Sequence, residues 1–281
     1  MSNAVLKNIA YLTMLIDHFF AIVFLEVAGE YVAAGYDTDV LAGIYSAGRA
    51  VGRVAFVLFA FLAVEGFLHT KSRGKYLFRL GIFAFVSEIP FDLAFSQQVI
   101  DWGSQNVYFT LFLGVLLLAV WEWITERMHR LRQKREGRSL FWYARTGLLG
   151  IAGAGAVVIL SVAAYRMHTD YRYMGVLLIF AFYVIRGRNR FLQVLVAAGV
   201  MFLGTWSANC LRYVIGEAYG YTAMEMFYFS LREMYGLIAF VPIFLYNGKI
   251  GRQMPKAVCY GFYPVHLLIL HGIMGIWLGM W

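Results

Sequence analysis

Stretches of about 20 mostly apolar residues recur along the whole chain, each long enough to cross a bilayer as a helix. Transmembrane β-strands alternate apolar and polar positions, whereas these runs are apolar all round, which sets a barrel aside. Hydrophobic residues fill 61% of the 281 positions and charged residues only 14%, where a soluble domain carries roughly a quarter charged. The sequence therefore predicts an all-α, polytopic integral membrane bundle. Helices are expected at 5–27, 50–69, 76–95, 106–126, 145–164, 173–186, 191–210, 232–246 and 257–279, about nine transmembrane spans. The range 211–231 reads as an interfacial or re-entrant helix. The first apolar run lacks a small-residue cleavage site and carries Asp17 and His18 in its middle, so it is expected to be retained and not removed as a signal peptide.

The net charge of +8 would suggest nucleic acid in a soluble protein, but here the cations lie in short connections and orient the chain, so no nucleic-acid partner is expected. Lys71, Arg73 and Lys75 mark the connection 70–75. Arg127, Arg130, Arg132, Lys134, Arg135, Arg138 and Arg145 fill 127–145, Arg186, Arg188 and Arg190 form a third group, and Lys249, Arg252 and Lys256 a fourth. Counting spans puts all four on one side, which the positive-inside rule makes the cytoplasm, with the N-terminus inside and the C-terminus outside. The opposite connections hold Glu26, Glu30, Asp37, Asp39, Asp101, Asp170 and Glu217. Neither a repeat nor a Pro- or Ser-rich linker divides the chain, so residues 1–281 read as a single transmembrane domain. Its basic cytoplasmic loop 127–145 reads as a solvated cytoplasmic helix or as a contact for anionic lipid of the bilayer, the lipid contact being the cheaper explanation. Cys210 and Cys259 lack metal-ligand spacing, and no metal is expected. Gly48/Gly52 and Gly275/Gly279 match the small-residue packing pattern of membrane helices.

An ionisable group in hydrocarbon costs a few kcal/mol or more and by default faces the bundle interior or a cavity. Arg49 and Arg53 lie one helical turn apart on the second span. Glu88 and Asp92 do so on the third, with Pro90 between them, and Asn106 and Thr110 on the fourth. Asp17 and His18 sit about 20 Å along the first span at 1.5 Å per residue, past mid-bilayer. These four groups fall at similar depth in the outer half. The bland reading is an ion-pair cluster that locks helices together, since burial demands pairing anyway. A second set lies near the cytoplasmic face: Glu65 and His69 on the second span, and Lys256, Tyr260, Tyr263 and His266 along the last. Here Lys256 snorkelling and interfacial tyrosines are the bland alternative to an anionic-ligand site. Arg166, His168, Asp170 and Arg172 are expected in a solvated outer loop, with Asp170 as a cap over the cavity.

Six dispersed segments carry a resemblance: "LKNIAYLTMLIDH" from Leu6, "GRVAFVLFAFLAVEGFLHT" from Gly52, "YLFRLGIFAFVSEIPFDLAF" from Tyr76, "QNVYFTLFLG" from Gln105, "TDYRYMGVLLI" from Thr169 and "YGFYPVHLLIL" from Tyr260. In this order, over nearly the whole length, they resemble the TraX family. That resemblance implies N-terminal acetylation of a conjugative pilin at the bacterial cytoplasmic membrane, within a branch of the multi-pass transmembrane acyltransferases. Such proteins use cytosolic acetyl-CoA to modify an acceptor on the far side. The acceptor is left open as a pilin-like amine, a glycan or a small molecule.

Acyl transfer needs a base for the attacking group and donors for the oxyanion. His18 is the expected base, oriented by Asp17 or, across the cavity, by Glu88 or Asp92; an acyl-imidazole on His18 is the covalent alternative. Arg53 and Asn106 are the expected oxyanion donors. Glu65, His69, Lys256, Tyr260, Tyr263 and His266 are expected to receive acetyl-CoA. The competing class is a multi-pass solute or proton-coupled transporter that uses the buried charges as its pathway, for which a two-fold repeat would speak. A membrane scaffold, with the charges as locks, is the third.

Overall fold

The computed structural model describes residues 1–133, 140–216 and 222–279. Lys134, Arg135 and Arg138 of the basic connection, and Glu217 of the acidic side, lie outside the described residues. Among the described residues the chain forms helices α1 (Asn3–Ala33), α2 (Thr38–His69), α3 (Arg73–Ser96), α4 (Val107–Gln133), α5 (Leu140–Arg166), α6 (Arg172–Val184), α7 (Arg190–Val214), α8 (Ala223–Phe244) and α9 (Lys256–Trp277). Each expected span falls on one of them. Seven are long and apolar enough to cross a membrane: α1, α2, α4, α5, α7, α8 and α9. Of the others, α3 carries Arg73, Lys75, Arg79, Glu88 and Asp92, and α6 has only 13 residues.

Short polar residues start the helices by taking up N–H groups that have no intrahelical acceptor. Asp37 accepts from the Asp39 N–H at 2.8 Å before α2, and Asn189 from the Leu192 N–H at 2.9 Å before α7. Thr222 and Glu225 form a reciprocal capping box at α8. The described residues of 211–231 divide between the end of α7, a following turn and the first part of α8, whose regular α-helix runs to Glu233 before a 3-10 turn over Met234–Ala239. The first two spans are also longer than expected. At 31 and 32 residues, α1 and α2 run to about 46–48 Å, against roughly 30 Å of hydrocarbon.

Helix α2 is central, packing on α1, α4, α6 and α8, while α9 packs on α3 and α1 and α5 lies outermost against α4 and α6. Two close approaches set the site. A Cβ at Gly48 would fall 2.1 Å from the Phe20 ring and one at Gly52 2.0 Å from Asp17 Oδ1, so this pair lets α1 press its polar face into α2. A Cβ at Gly236 would lie 3.0 Å from the Arg53 carbonyl and 2.7 Å from Met201, so the glycine lets α8 run hard against α2. Directly after His18, α1 opens into a π-turn over Phe19–Phe24. Such turns insert a residue and re-aim the flanking side chains, and they favour functional sites.

Candidate functional site

His18 of α1 meets His266 of α9. Their rings stack with centroids 4.9 Å apart and 4° between planes, and His18 Nδ1 lies 2.6 Å from His266 Nε2. The Phe262 carbonyl, 2.8 Å from His266 Nδ1, can only accept, so His266 donates there. In a neutral ring its Nε2 is then the acceptor, and His18 donates from Nδ1. The network thereby assigns the lone pair to His18 Nε2, the nitrogen a general base uses. Phe95 and Tyr263 flank this ring at 5.6 and 5.8 Å.

The carboxylate expected to orient His18 is not its partner. Successive helical side chains point about 100° apart at 3.6 residues per turn, so Asp17 faces away from His18 and binds Arg49 at 2.8 Å. Arg53 pairs instead with Glu233 of α8 at 3.1 Å and lies 6.0 Å from the Tyr171 ring. Both guanidinium groups remain within electrostatic reach of His18. Glu233 is a residue that sequence reasoning missed, although it is the second residue of the expected span 232–246. Its one signal was a lone carboxylate entering an apolar run at the depth of Arg53.

Glu88 and Asp92 form a separate acidic group. The backbone and side-chain N–H groups of Asn106 both donate to Glu88 Oε2, and its second amide N–H donates to the Ala84 carbonyl at 2.7 Å. Asn106 Oδ1 accepts from the Tyr108 N–H at 2.9 Å. The amide is thus fully committed to holding α4 on α3, which leaves Arg53 as the freer of the two expected oxyanion donors. Asp92 accepts from the Asp101 N–H at 2.8 Å. In that outer loop, the Ser96 hydroxyl and the Gly103 N–H hold the Asp101 carboxyl below its ordinary range. Neither Glu88 nor Asp92 is bonded to His18 among the described residues.

The loop 167–171 turns partly inward: Arg166 stays exposed as expected, but Thr169 is buried and His168, Asp170 and Arg172 are half-buried. Gln105 and Thr169 form a parallel bridge, the Asp170 N–H donates to the Gln105 carbonyl at 2.8 Å, and Thr110 donates to the Asp170 carbonyl. His168, Tyr171 and Arg172 all take positive φ, 53°, 62° and 45°. Non-glycine residues hold that region only when their surroundings over-determine it; here Tyr171 stacks on Phe56 at 3.7 Å. Asp170 is left half-buried, near Arg53 and Asp17.

From the basic end a cavity of about 540 Å³ runs into the bundle. Five residues expected at a ligand site line it: Glu65, His69, Lys256, Tyr260 and Tyr263. The sixth, His266, does not; it sits behind Tyr263, 5.7 Å between ring centroids, and belongs with His18. Lys7, Tyr11, Tyr76, Arg79 and Tyr108 also line the cavity. Sequence reasoning passed over them, although Lys7, Tyr11, Met14 and His18 follow 4-, 3- and 4-residue steps on one face of α1. Lys7 Nζ donates to Gln253 at 2.7 Å, and Arg79 Nε to the Tyr260 hydroxyl at 3.4 Å. Pro264 lacks the N–H that would close on the Tyr260 carbonyl, and the Tyr108 hydroxyl donates there instead, at 3.2 Å. At Glu65, Tyr246 donates to Oε2 at 3.0 Å and Arg186 stands 3.4 Å from Oε1.

A family model described as TraX protein matches residues 2–274. The chain belongs to the TraX family. No curated protein and no solved structure matches it. In this TraX protein the six segments that carry the resemblance supply residues of the cavity lining, of the His18–His266 pair, of the Arg53–Glu233 and Glu88–Asn106 contacts and of the Gln105–Thr169 bridge. The first supplies Lys7, Tyr11 and His18, the second Arg53, Glu65 and His69, the third Tyr76, Arg79 and Glu88. The fourth and fifth join at the Gln105–Thr169 bridge, and the last supplies Tyr260, Tyr263 and His266.

Proposed function

We propose that this TraX protein is a transmembrane acetyltransferase that takes its acetyl group from cytosolic acetyl-CoA. It passes the group to an amine or hydroxyl acceptor at the outer side of a bacterial cytoplasmic membrane. The observation that carries this reading is the cavity itself. Its lining takes in Lys7, Arg79 and Lys256, the tyrosines Tyr11, Tyr76, Tyr108 and Tyr260, and Tyr263, whose ring lies 5.8 Å from that of His18 and 5.7 Å from that of His266. The basic end is the cytoplasmic end, and both chain termini follow from it, N-terminus inside and C-terminus outside. Membership of the TraX family makes a pilin-like N-terminal amine the first acceptor to try; a glycan or small molecule is the other class.

Phosphates of the donor meet the cations at the mouth, and the pantetheine arm lies along the tyrosines. From Lys7 to His18 the helix rises about 16 Å, and from Lys256 to His266 about 15 Å, so an extended arm brings the thioester to the histidines. The acceptor attacks the thioester carbonyl while His18 Nε2 takes its proton. The C–S bond then breaks, and the CoA thiolate leaves with the proton returned from His18. His266 fixes the His18 tautomer through Nδ1. Arg53 supplies positive charge for the oxyanion, while Glu233 and Tyr171 hold it in place.

The test uses purified protein in nanodiscs with acetyl-labelled acetyl-CoA. CoA release or label on the protein, lost in His18→Ala and kept in Arg130→Ala, supports the reading and locates the base. A folded protein that binds no acetyl-CoA would move the assignment to a transporter using the same buried charges.

A further inference from the structure

A second, smaller chamber of about 260 Å³ opens beside the main cavity at the basic end and shares Glu65, His69, Tyr246 and Gly248 with it. Its apolar wall is aromatic: the Phe61 ring lies 5.9 Å from Phe182 and 5.7 Å from Tyr246, edge-on to both. The Glu65 carboxylate, buried at 7% side-chain exposure, also lines it. Gln193 also lines the chamber; its Nε2 donates to the Arg188 carbonyl at 2.8 Å, which leaves its second amide N–H and its carbonyl oxygen to other partners. Arg186 and His69 stand exposed at the rim.

We propose that this chamber holds the purine ring of the acyl donor and selects adenine. The inference rests on the acyl-CoA reading and adds the feature of the donor that is recognised. Flat aromatic walls suit a purine face. The exocyclic amine of adenine donates to a carboxylate, and its ring nitrogens accept from an amide N–H or a guanidinium, which is what Glu65, Gln193 and Arg186 offer. A 6-oxo purine would turn an oxygen toward the Glu65 carboxylate, which repels it and gives it no donor. Because the two chambers meet at Glu65, one molecule can place its purine in the smaller and its phosphates on Lys7, Arg79 and Lys256. Its thin arm then runs along the larger. A pantetheine arm without the nucleotide, or one carried on a protein, leaves the small chamber unfilled.

The experiment measures displacement of labelled acetyl-CoA from the nanodisc protein by CoA, by its hypoxanthine analogue and by 4′-phosphopantetheine. The wild type is expected to bind CoA about ten-fold or more tighter than the other two. Gln193→Leu is expected to weaken CoA roughly ten-fold and leave 4′-phosphopantetheine within about two-fold. Glu65→Gln is expected to bring CoA and its hypoxanthine analogue to similar affinity, since a rotated amide can donate to the 6-oxo group. Equal binding of CoA and the hypoxanthine analogue by the wild type overturns the purine site, as does equal weakening of CoA and 4′-phosphopantetheine in Gln193→Leu. Either result leaves the acyl-CoA reading standing, whereas a wild type that binds neither acetyl-CoA nor CoA removes both.

Discussion

The two polar regions of the bundle handle their charges in opposite ways. Around His18, cations and carboxylates pair off, Arg49 with Asp17 and Arg53 with Glu233, each pair largely shielded from solvent. Along the inner cavity, Lys7, Arg79 and Lys256 form no ion pair among the described residues; Lys7 is held by an amide and Arg79 by a phenol. A buried pair compensates its own desolvation and gives up little when a ligand arrives. Cations held by neutral partners keep their field for an anion that enters. On the proposed function, the paired charges position groups around His18 and the cavity cations bind the donor.

That contrast yields predictions of decreasing size. His18→Ala is expected to lower acetyl transfer by about 10²–10⁴-fold with acetyl-CoA binding kept, as read by turnover and by equilibrium binding on the same nanodiscs. Transfer that persists would take the base away from this ring. Arg53→Ala strands Glu233 and is expected to destabilise the bundle by roughly 3 kcal/mol, seen as lower folded yield and a lower detergent melting temperature. The paired replacement Arg53→Met with Glu233→Leu should recover much of that stability without recovering transfer. Recovery of both would reduce the outer charges to locks and dissolve the contrast.

Gly236→Ala drives a methyl toward Met201 and the Arg53 carbonyl and is expected to cost about 1–3 kcal/mol. Thermal unfolding would register it, and an unchanged midpoint would mean that α8 is free to move off α2. Lys7→Gln and Arg79→Gln are expected to weaken acetyl-CoA by about ten-fold each, with folded yield unchanged and less sensitivity of binding to salt. Loss of folded protein instead would place these cations with the structural pairs. The smallest effect is expected at Gln253→Ala, about two- to three-fold on acetyl-CoA affinity, because Lys7 loses its anchor and keeps its charge.

Much of the bundle was legible in one dimension because hydrocarbon imposes a strict rule on length and polarity. Apolar runs of about 20 residues marked where helices lie, and the depth of each intramembrane charge followed from 1.5 Å of rise per residue. The same arithmetic put Glu65, His69, Lys256, Tyr260 and Tyr263 near one end, where the structure shows them around a common cavity. Helix lengths were less legible, since α1 continues past its apolar run to Ala33 through Glu30, and α2 starts at Thr38 on the Asp37 cap, twelve residues before the expected 50.

Depth does not give direction. Sequence spacing shows which residues of one helix share a face, but which face meets which neighbour depends on rotation about the axis. In this bundle that rotation was settled by small contacts, Gly52 against Asp17, Gly236 against Arg53 and the π-turn after His18. Hence residue types and depths followed from the sequence alone: a histidine, two arginines and several carboxylates in the outer half, basic groups at the inner mouth. Tertiary packing alone decided the partners. It gave His18 to His266 and not to a carboxylate, Arg53 to Glu233, and Asn106 to Glu88, because a pairing across helices is a property of their mutual rotation and of no single one of them.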